Sequence, residues 1–404
     1  MGNKRRWPIA ITCLALVTAC GGGRTAAPGP AATTLPSPGH ASTAPAAAAT
    51  GETAVSPNWK PVAGAKLAGS AALLDVAATG PRDAWAVGYK DSAEDREGTP
   101  ALQHWDGTRW TQKTISPSDA WHLVGVSAGG PDDVWIVGNA GNAYTAHWDG
   151  TRWTGWHPFG VADDYSLTGV AATGGHAWLV GRTPSQGVIM EWTGRRFRNA
   201  LRADGYFTAV TAEPGHVWAV GTDAPPGASV TPGTPMVWHG TAVSGPDIQS
   251  WQRGRTPEIA GGVLRKVWMV TPSDVWAVGS VSPPGGTAEV PLVLHWDGAS
   301  WKQVQVPVSR GKLDGVTAAG SGDVWISGID ADHSGQVLFL HFDGRKWTPS
   351  YGPLLRRERE DQQYPQSDDI GRTGITRVPG SSRLWAVGSV GWGDAEADFI
   401  LRHD

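Results

Sequence analysis

Aromatic residues that stand outside the internal repeat of this 404-residue chain could bind a ligand. They fall in long, irregular segments for the most part, where an indole or phenol beside polar groups can stack on a sugar ring or anchor a protein partner. These residues are Trp121, Trp156, Tyr165, Tyr206, Trp251, Tyr351, Tyr364 and Trp392, and His122 follows the first of them. The sequence predicts that they form a ligand-binding surface. The alternative is that the rings only pack the loops onto the rim of the fold.

The titratable residues form no recognisable catalytic or metal-binding pattern. Histidines recur before a W/F-D-G phrase, which favours a repeated structural hydrogen bond, and the aspartates of that phrase are suited to cap their own turns. The two sets are His104, His147, His295 and His341, and Asp106, Asp149, Asp297 and Asp343. Carboxylates in the variable segments could hold calcium but match no known calcium loop. They are Asp163, Asp164, Asp394, Glu396 and Asp398. We therefore predict no catalytic residue, no metal and no cofactor.

One phrase repeats from residue 73 onward and predicts the fold. Its clearest copy is "LVGVSAGGPDDVWIVGNAGNAYTAHWDGTRWT" at residues 123–154. The central element, VWxVG or a close variant, places tryptophan at seven positions 40 to 60 residues apart: 85, 135, 178, 218, 276, 325 and 385. Each copy contains four short segments with apolar-polar alternation, separated by Gly, Asp and Pro, which is typical of four antiparallel strands. Seven such sheets arranged radially predict an all-β, seven-bladed β-propeller.

The two ends of the repeat region complement each other. The last copy stops at "FILRHD" (399–404), without the fourth-strand segment that carries tryptophan in other copies. A segment of that kind stands before the first copy, as "SPNWKPV" (56–62). We predict that the seventh blade takes its outermost strand from this segment, with Trp59 in the position of Trp110 and Trp301. Such a closure pairs two sheet edges that would otherwise be open.

Most of the 23 tryptophans are expected to be structural. They recur at fixed strand positions, where large rings can fill the space between wedge-shaped blades. The turns between first and second strands, and between third and fourth strands, are short and alike, so the long segments must share the opposite face. These segments are 89–101, 154–166, 222–235, 243–263, 280–291, 348–373 and 389–398. Variable loops on a rigid scaffold predict the binding face.

The N-terminal segment indicates export and lipid attachment. Residues 1–19 combine a basic "NKRR", an apolar stretch and "VTA" before Cys20, which resembles the signal peptide and lipobox of a bacterial lipoprotein. That resemblance implies lipidation of Cys20. Residues 20–58 are rich in Ala, Pro, Thr, Ser and Gly, which predicts a disordered tether to a folded domain at 59–404. We expect the protein on the extracytoplasmic face of the cell membrane, held by its lipid anchor.

Charge and cysteine content argue against two further classes of protein. The formal net charge of −4 disfavours nucleic acid as a partner. The only cysteine besides Cys20 is Cys13, inside the predicted signal peptide. The mature chain therefore lacks the cysteine that a copper centre of the galactose oxidase type cross-links to tyrosine.

The repeat resembles that of tectonin-type propellers. The shared pattern is L-x-x-V-x-x-G, then V-W-x-V, then a later W, and it extends over essentially all of residues 59–404. The "WDGTRW" turns at 105–110 and 148–153 are also similar to the Asp-box hairpins of sialidase-like propellers, although here Gly follows Asp directly. The tectonin resemblance implies binding of carbohydrate or protein rather than catalysis.

Together these features predict a monomeric binding or interaction module whose partner is a cell-wall glycan or an envelope protein. Two alternatives remain open. A carbohydrate-active hydrolase or lyase would need two carboxylates about 5 to 10 Å apart near the propeller mouth. A scaffold for envelope assembly would share the fold and the loops but bind a specific protein.

Overall fold

The structure is a computed structural model that describes residues 56, 58–93, 98–116, 118–161, 165–227, 232–242, 247–283, 285–286, 288–356, 369–391 and 396–404. The regular elements of these residues are β-strands, and they include no helix long and apolar enough to cross a membrane. Cys20, Tyr364 and Trp392 lie outside the described residues, as do the predicted signal peptide and nearly all of the predicted tether.

The strands follow the repeat along the chain. The first, β1 (Trp59–Pro61), precedes blade 1, which contains β2 (Ser70–Gly80), β3 (Asp83–Ser92), β4 (Thr99–Trp105) and β5 (Trp110–Gln112). Blade 2 contains β6 (His122–Gly130), β7 (Asp133–Asn139), β8 (Ala143–Trp148) and β9 (Trp153–Trp156), and β10 (Pro158–Val161) follows outside the sheet. Blade 3 contains β11 (Ser166–Thr173), β12 (His176–Arg182), β13 (Gly187–Trp192) and β14 (Phe197–Ala203).

Blades 4 to 7 complete the chain in the same order. Blade 4 contains β15 (Tyr206–Glu213), β16 (His216–Thr222), β17 (Pro235–Thr241) and β18 (Ser250–Arg253), and blade 5 contains β19 (Gly262–Thr271), β20 (Asp274–Val281), β21 (Val290–Trp296) and β22 (Trp301–Gln303). Blade 6 contains β23 (Gly311–Gly320), β24 (Asp323–Asp330), β25 (Leu338–Phe342) and β26 (Trp347–Tyr351). Blade 7 contains β27 (Ile370–Arg377), β28 (Leu384–Val390), β29 (Ala397–His403) and the N-terminal β1.

The blades form a closed ring. Each is a four-stranded antiparallel sheet, and the first strands of successive blades contact one another, from β2 and β6 around to β27, which contacts β2. The predicted seven-bladed β-propeller is therefore confirmed. Because neighbouring strands run in opposite directions, the short turns share one face of the ring. The longer connections share the other, which we call the loop face.

The predicted closure by the N-terminal strand is also confirmed. Strand β1 pairs antiparallel with β29, with Trp59 opposite His403 and Pro61 opposite Leu401. The ring of Trp59 is 3% exposed and stacks on Phe339 of blade 6, with centroids 3.6 Å apart. The segment before the first repeat therefore supplies the outer edge of the last blade.

Tryptophans fill the space between blades, as the repeat predicts. Trp85 of blade 1 packs against Trp148 and Trp153 of blade 2, at centroid distances of 5.8 and 5.4 Å. At the junction that closes the ring, Trp385 of blade 7 packs against Trp105 of blade 1 at 5.0 Å. These aromatic contacts hold adjacent sheets together where no backbone hydrogen-bond ladder joins them.

The aspartates of the repeated W/F-D-G phrase cap their own turns, as predicted. Asp106 accepts hydrogen bonds from the backbone N–H groups of Thr108 and Arg109, at 2.8 and 3.0 Å. Gly107, which directly follows Asp106 in this turn, has a φ of +98°, a conformation that favours glycine. Asp149, Asp297 and Asp343 make the same pair of bonds in their own turns. Their role is structural.

The histidines before that phrase make the predicted structural hydrogen bond. His104 Nε2 lies 2.6 Å from Oδ1 of Asp83, which begins the second strand of the blade. The ring of His104 also packs on Trp85, with centroids 4.2 Å apart. The same pair recurs as His147 with Asp133 (2.9 Å), His295 with Asp274 (2.8 Å) and His341 with Asp323 (3.0 Å). The bond joins the second and third strands beside the tryptophan that contacts the next blade.

Blades 3 and 4 depart from this pairing. In blade 3 the two residue types exchange places, so that His176 lies on the second strand and Glu191 on the third, 3.2 Å apart. In blade 4 both positions are histidine, and His216 Nδ1 lies 3.2 Å from His239 Nε2. Burial, together with the neighbouring His216, lowers the pKa of His239 to about 4. His239 is therefore uncharged at neutral pH.

Candidate ligand-binding cleft

A cleft of about 500 Å³ opens on the loop face between blades 2, 3 and 4. Its residues lie where β6 and β11 begin, where β7 and β12 end, and in the segment after β16. Three residues with a predicted binding role, Trp121, His122 and Tyr165, line this blade 2–4 cleft. The structure therefore brings together aromatic residues that are more than 40 positions apart in the sequence.

The indole of Trp121 is the most exposed aromatic surface of the cleft. Its backbone N–H donates to the carbonyl oxygen of Asn139 at 2.8 Å, and its side chain remains 40% exposed. The ring lies against Gly141, where a Cβ atom would come within 3.1 Å of the indole. Gly141 also has a φ of +77°, which favours glycine. Because Gly141 has no side chain, the turn can lie in contact with the indole of Trp121.

Two asparagine side chains stand beside this indole. Asn139 and Asn142 flank the short turn between β7 and β8, and both line the cleft. Their amide oxygens are buried and have no hydrogen-bond partner within the described residues. A buried polar atom without a partner costs free energy, so a group that donates hydrogen bonds here would be stabilised.

The wall of the cleft on the side of blade 3 is completed by Tyr165, Arg182 and Thr183. Tyr165 is half-buried, and its ring packs on Phe159 at 4.8 Å. Arg182 is exposed, and its Nε donates to Ser166 Oγ at 3.3 Å. Thr183 follows and accepts hydrogen bonds in its own turn. The cleft thus combines apolar ring surfaces with amide, hydroxyl and cationic groups.

His122 connects the cleft wall to the junction of blades 1 and 7, where the ring closes. Its ring packs on Tyr89 with centroids 4.5 Å apart, and the Tyr89 hydroxyl donates to the carboxylate of Glu396. Burial raises the pKa of the Tyr89 hydroxyl, and the Glu396 carboxylate raises it further. Burial also raises the pKa of the Glu396 carboxyl. These contacts fix His122 in place.

The interpretation that the remaining aromatics stand in loops is wrong for Trp156, Trp251 and Tyr351. They lie in outermost strands, at the end of β9, within β18 and at the end of β26. Trp156 stacks on Trp135 at 5.8 Å, and Trp251 packs against the core of blades 3 and 4. The outer strands extend along their partners into segments that the repeat spacing assigns to loops.

Tyr351 and Tyr206 are held within the fold. Tyr351 is 8% exposed, and its hydroxyl donates to Asp330 Oδ2 at 2.5 Å. Burial and this carboxylate raise the pKa of the Tyr351 hydroxyl. The loop placement is wrong for Tyr206 as well: it is half-buried at the start of β15, opposite Thr222 of β16. Neither tyrosine lines the blade 2–4 cleft.

Sequence reasoning missed the polar groups of the cleft, Asn139, Asn142, Arg182 and Thr183. A signal for two of them is present in the repeat. Arg182 and Asn139 each directly follow the glycine of the VWxVG element, in "LVGR" (179–182) and "IVGN" (136–139). That glycine lies near the loop-face end of each second strand, so the residue after it projects near the variable loops.

A cluster of His176, Glu191 and Asp247 places three groups of metal-ligand type within reach of one another. Glu191 is fully buried, and Arg198 donates to its Oε2 from Nη2 and Nε at 2.5 and 2.6 Å. His176 lies at its other oxygen, Oε1. The guanidinium supplies the positive charge that a metal ion would bring, so the buried Glu191 carboxylate forms an ion pair with the partly exposed Arg198.

A second cavity of about 670 Å³ lies where the chain passes from β1 to β2, between blades 7 and 1. Glu396 and Asp398 line it, and burial raises the pKa of Asp398 to about 6. Glu396 has two partners, because its carboxylate accepts hydrogen bonds from the hydroxyl groups of Tyr89 and Ser389. Nearby, the side chain of Gln103 accepts from the backbone N–H of Ala65 at 2.7 Å. These residues stabilise the connection that closes the ring.

The fold and the cleft place the chain in the class of seven-bladed β-propellers. Comparison with protein families and with curated proteins gives no match. Among solved structures, the chain is similar to YCF48 bound to D1 peptide, with 18% identity, a TM-score of 0.52, and 87% of this chain and 98% of that chain covered. It is also similar to the WD40 propeller domain of Doa1 (12%, 0.52, 85% and 97%) and to a PL25 ulvan lyase (9%, 0.53, 84% and 95%). At these identities the likeness shows a shared fold.

Proposed function

We propose that this protein is a membrane-anchored, extracytoplasmic binding module that takes a saccharide in the blade 2–4 cleft. The observation that carries the proposal is the exposed indole of Trp121, supported by Gly141 and flanked by Asn139 and Asn142. An aromatic ring offers a flat apolar surface to the apolar face of a sugar, and amides can exchange hydrogen bonds with its hydroxyl groups. The volume of about 500 Å³ is typical of a small-ligand site.

The cleft favours binding over hydrolysis or elimination. Glycoside hydrolysis commonly uses two carboxyl groups that flank the scissile bond. No carboxylate is among the described residues that line the cleft. At the other cavity, the Glu396 carboxylate is engaged by hydrogen bonds from Tyr89 and Ser389, close to the closure of the ring. Similar propellers include a peptide complex and a lyase, so the proposal rests on the cleft and not on the fold.

Replacing Trp121 with alanine is expected to weaken saccharide binding at least tenfold. An aromatic anchor in a binding site commonly contributes about 2 kcal/mol or more, and 1.4 kcal/mol corresponds to a factor of ten. The purified full chain and the variant are compared on an array of glycans and cell-wall polysaccharides. Calorimetric titration of each glycan that binds then gives its affinity.

Leu354→Ala is the matched control, because Leu354 is 52% exposed and lies outside the cleft. Its affinities should equal those of the wild type. Unchanged binding in Trp121→Ala would place a saccharide site elsewhere on the protein. If the wild type binds nothing on the array, the proposal fails and a scaffold for envelope assembly becomes the leading function.

The proposed location rests on the resemblance of "VTAC" (17–20) to a lipobox. Replacing Cys20 with alanine is expected to move the protein from the membrane fraction to the soluble fraction, because the lipid attachment site is lost. Cell fractionation of the expressed full-length variant measures this change. Cys13→Ala serves as the control, since that cysteine lies inside the predicted signal peptide. Membrane retention of Cys20→Ala at the wild-type level would refute the anchor.

A further inference from the structure

The blade 2–4 cleft contains a positive charge that the described residues do not neutralise. Arg182 ends β12 with its side chain exposed, and its Nε donates to Ser166 Oγ at 3.3 Å. Its two terminal nitrogens make no hydrogen bond or ion pair within the described part of the chain. The described residues that line the cleft include no aspartate or glutamate. The described side chains that line the cleft therefore give it a net positive charge.

Other arginines near the cleft differ from Arg182 either in having an ion-pair partner or in their position on the fold. Arg253 lies 2.9 Å from Asp223, and Arg198 lies 2.5 Å from Glu191. Arg195 is exposed like Arg182 and likewise has no ion pair within the described residues, but it projects from a short turn on the opposite face. An unpaired arginine on an open turn is ordinary surface. Arg182 differs because its guanidinium lines a concave site beside aromatic rings and amides.

The guanidinium suits one ligand chemistry in particular. It is planar and permanently charged, and its nitrogens match the two oxygens of a carboxylate in a paired hydrogen bond. The bond to Ser166 engages only Nε and leaves both terminal nitrogens available. Inside a cleft such a pair is screened less by water than the same pair on an open surface.

We infer that the blade 2–4 cleft selects acidic saccharides, with a ligand carboxylate bound by Arg182 and a sugar ring on Trp121. The inference rests on the proposed saccharide binding and adds the charge of the ligand. Arg182 is then a specificity-determining residue: it favours a uronic acid over the neutral sugar of the same shape. Neutral glycans that bind would do so through the aromatic rings and the amides alone.

The test compares oligosaccharides of uronic acids with the same oligosaccharides after reduction of each carboxyl to a primary alcohol. Titration calorimetry gives the affinity of each form for the full chain, for Arg182→Gln and for the control Arg195→Gln. We expect the wild type to bind the acidic form at least tenfold more tightly than the reduced form. Arg182→Gln should lose that preference and bind the two forms with affinities within about twofold of each other. Arg195→Gln should behave as the wild type.

Every outcome decides the inference. Equal affinity of the wild type for the two forms, or a preference that survives in Arg182→Gln, would overturn selection by Arg182 and leave saccharide binding intact. Binding of the reduced forms alone would overturn it in the same way. If neither form binds the wild type, the inference fails, and if the glycan array is silent as well, the proposed function fails with it.

Discussion

Replacing Trp59 with alanine is expected to lower the free energy of unfolding by about 3 to 5 kcal/mol, the usual range for a buried aromatic in a core. Trp59 is 3% exposed, stacks on Phe339 at 3.6 Å and meets the edge of Trp325 at 6.2 Å. Alanine would leave a cavity between blades 6 and 7, where the N-terminal strand completes the ring. Chemical denaturation of the wild type and the variant measures the difference.

The neighbouring residue provides the control. Lys60 lies on the same strand with its side chain exposed, so Lys60→Ala should change the free energy of unfolding by less than about 0.5 kcal/mol. Deleting residues 56–62 should cost more than Trp59→Ala, because it also removes the backbone pairs between β1 and β29. A loss below about 1 kcal/mol for Trp59→Ala, or an unchanged stability after the deletion, would show that this strand does not stabilise the ring.

The sequence predicts this closure because one physical requirement recurs in every blade. Each junction between blades needs a large ring at a fixed strand position, as Trp85 and Trp153 show for blades 1 and 2. A tryptophan at that position therefore marks a strand even when the strand is far from its blade in the chain. Trp59 could be assigned to the last blade on this basis alone.

The cleft could be predicted only in part, because its composition depends on where individual strands end. Trp156 extends an outer strand and packs on Trp135, whereas Tyr165 stands beyond the strand and lines the cleft. Repeat spacing does not distinguish these two positions. Arg182 could not be predicted for a related reason. It occupies the position after the glycine of VWxVG, where other blades carry different residues, so the repeat pattern marks the position but does not predict an arginine there.

Blade 3 shows how a departure from the repeat can bury a carboxylate that then needs a countercharge. The repeated pair places aspartate on the second strand and histidine on the third, and here His176 and Glu191 exchange these roles. The carboxylate consequently moves to a strand interior, where Glu191 has 0% side-chain exposure. Arg198, directly opposite on β14, supplies the countercharge. The sequence shows the exchange of residue types but not the burial that makes the arginine necessary.

Replacing Arg198 with alanine is expected to lower the free energy of unfolding by about 2 kcal/mol, because the buried Glu191 carboxylate would lose its charged partner, while the 41% exposure of Arg198 itself reduces the loss. Arg198 donates to Glu191 at 2.5 and 2.6 Å and also to the carbonyl oxygen of Ile248 in blade 4, at 3.1 Å. The variant would therefore lose a charge pair and a bond between blades. Chemical denaturation at neutral pH measures the loss.

A second substitution separates the charge of Arg198 from its packing. Adding Glu191→Gln to Arg198→Ala should recover part of the lost stability, because a buried amide needs no countercharge. Arg195→Ala, on an exposed turn three positions earlier, is the matched control and should stay within about 0.5 kcal/mol of the wild type. Should the double variant be no more stable than Arg198→Ala, the uncompensated charge is not the cause. The loss would then come from the contacts of the long side chain, and His176 would be a sufficient partner for Glu191.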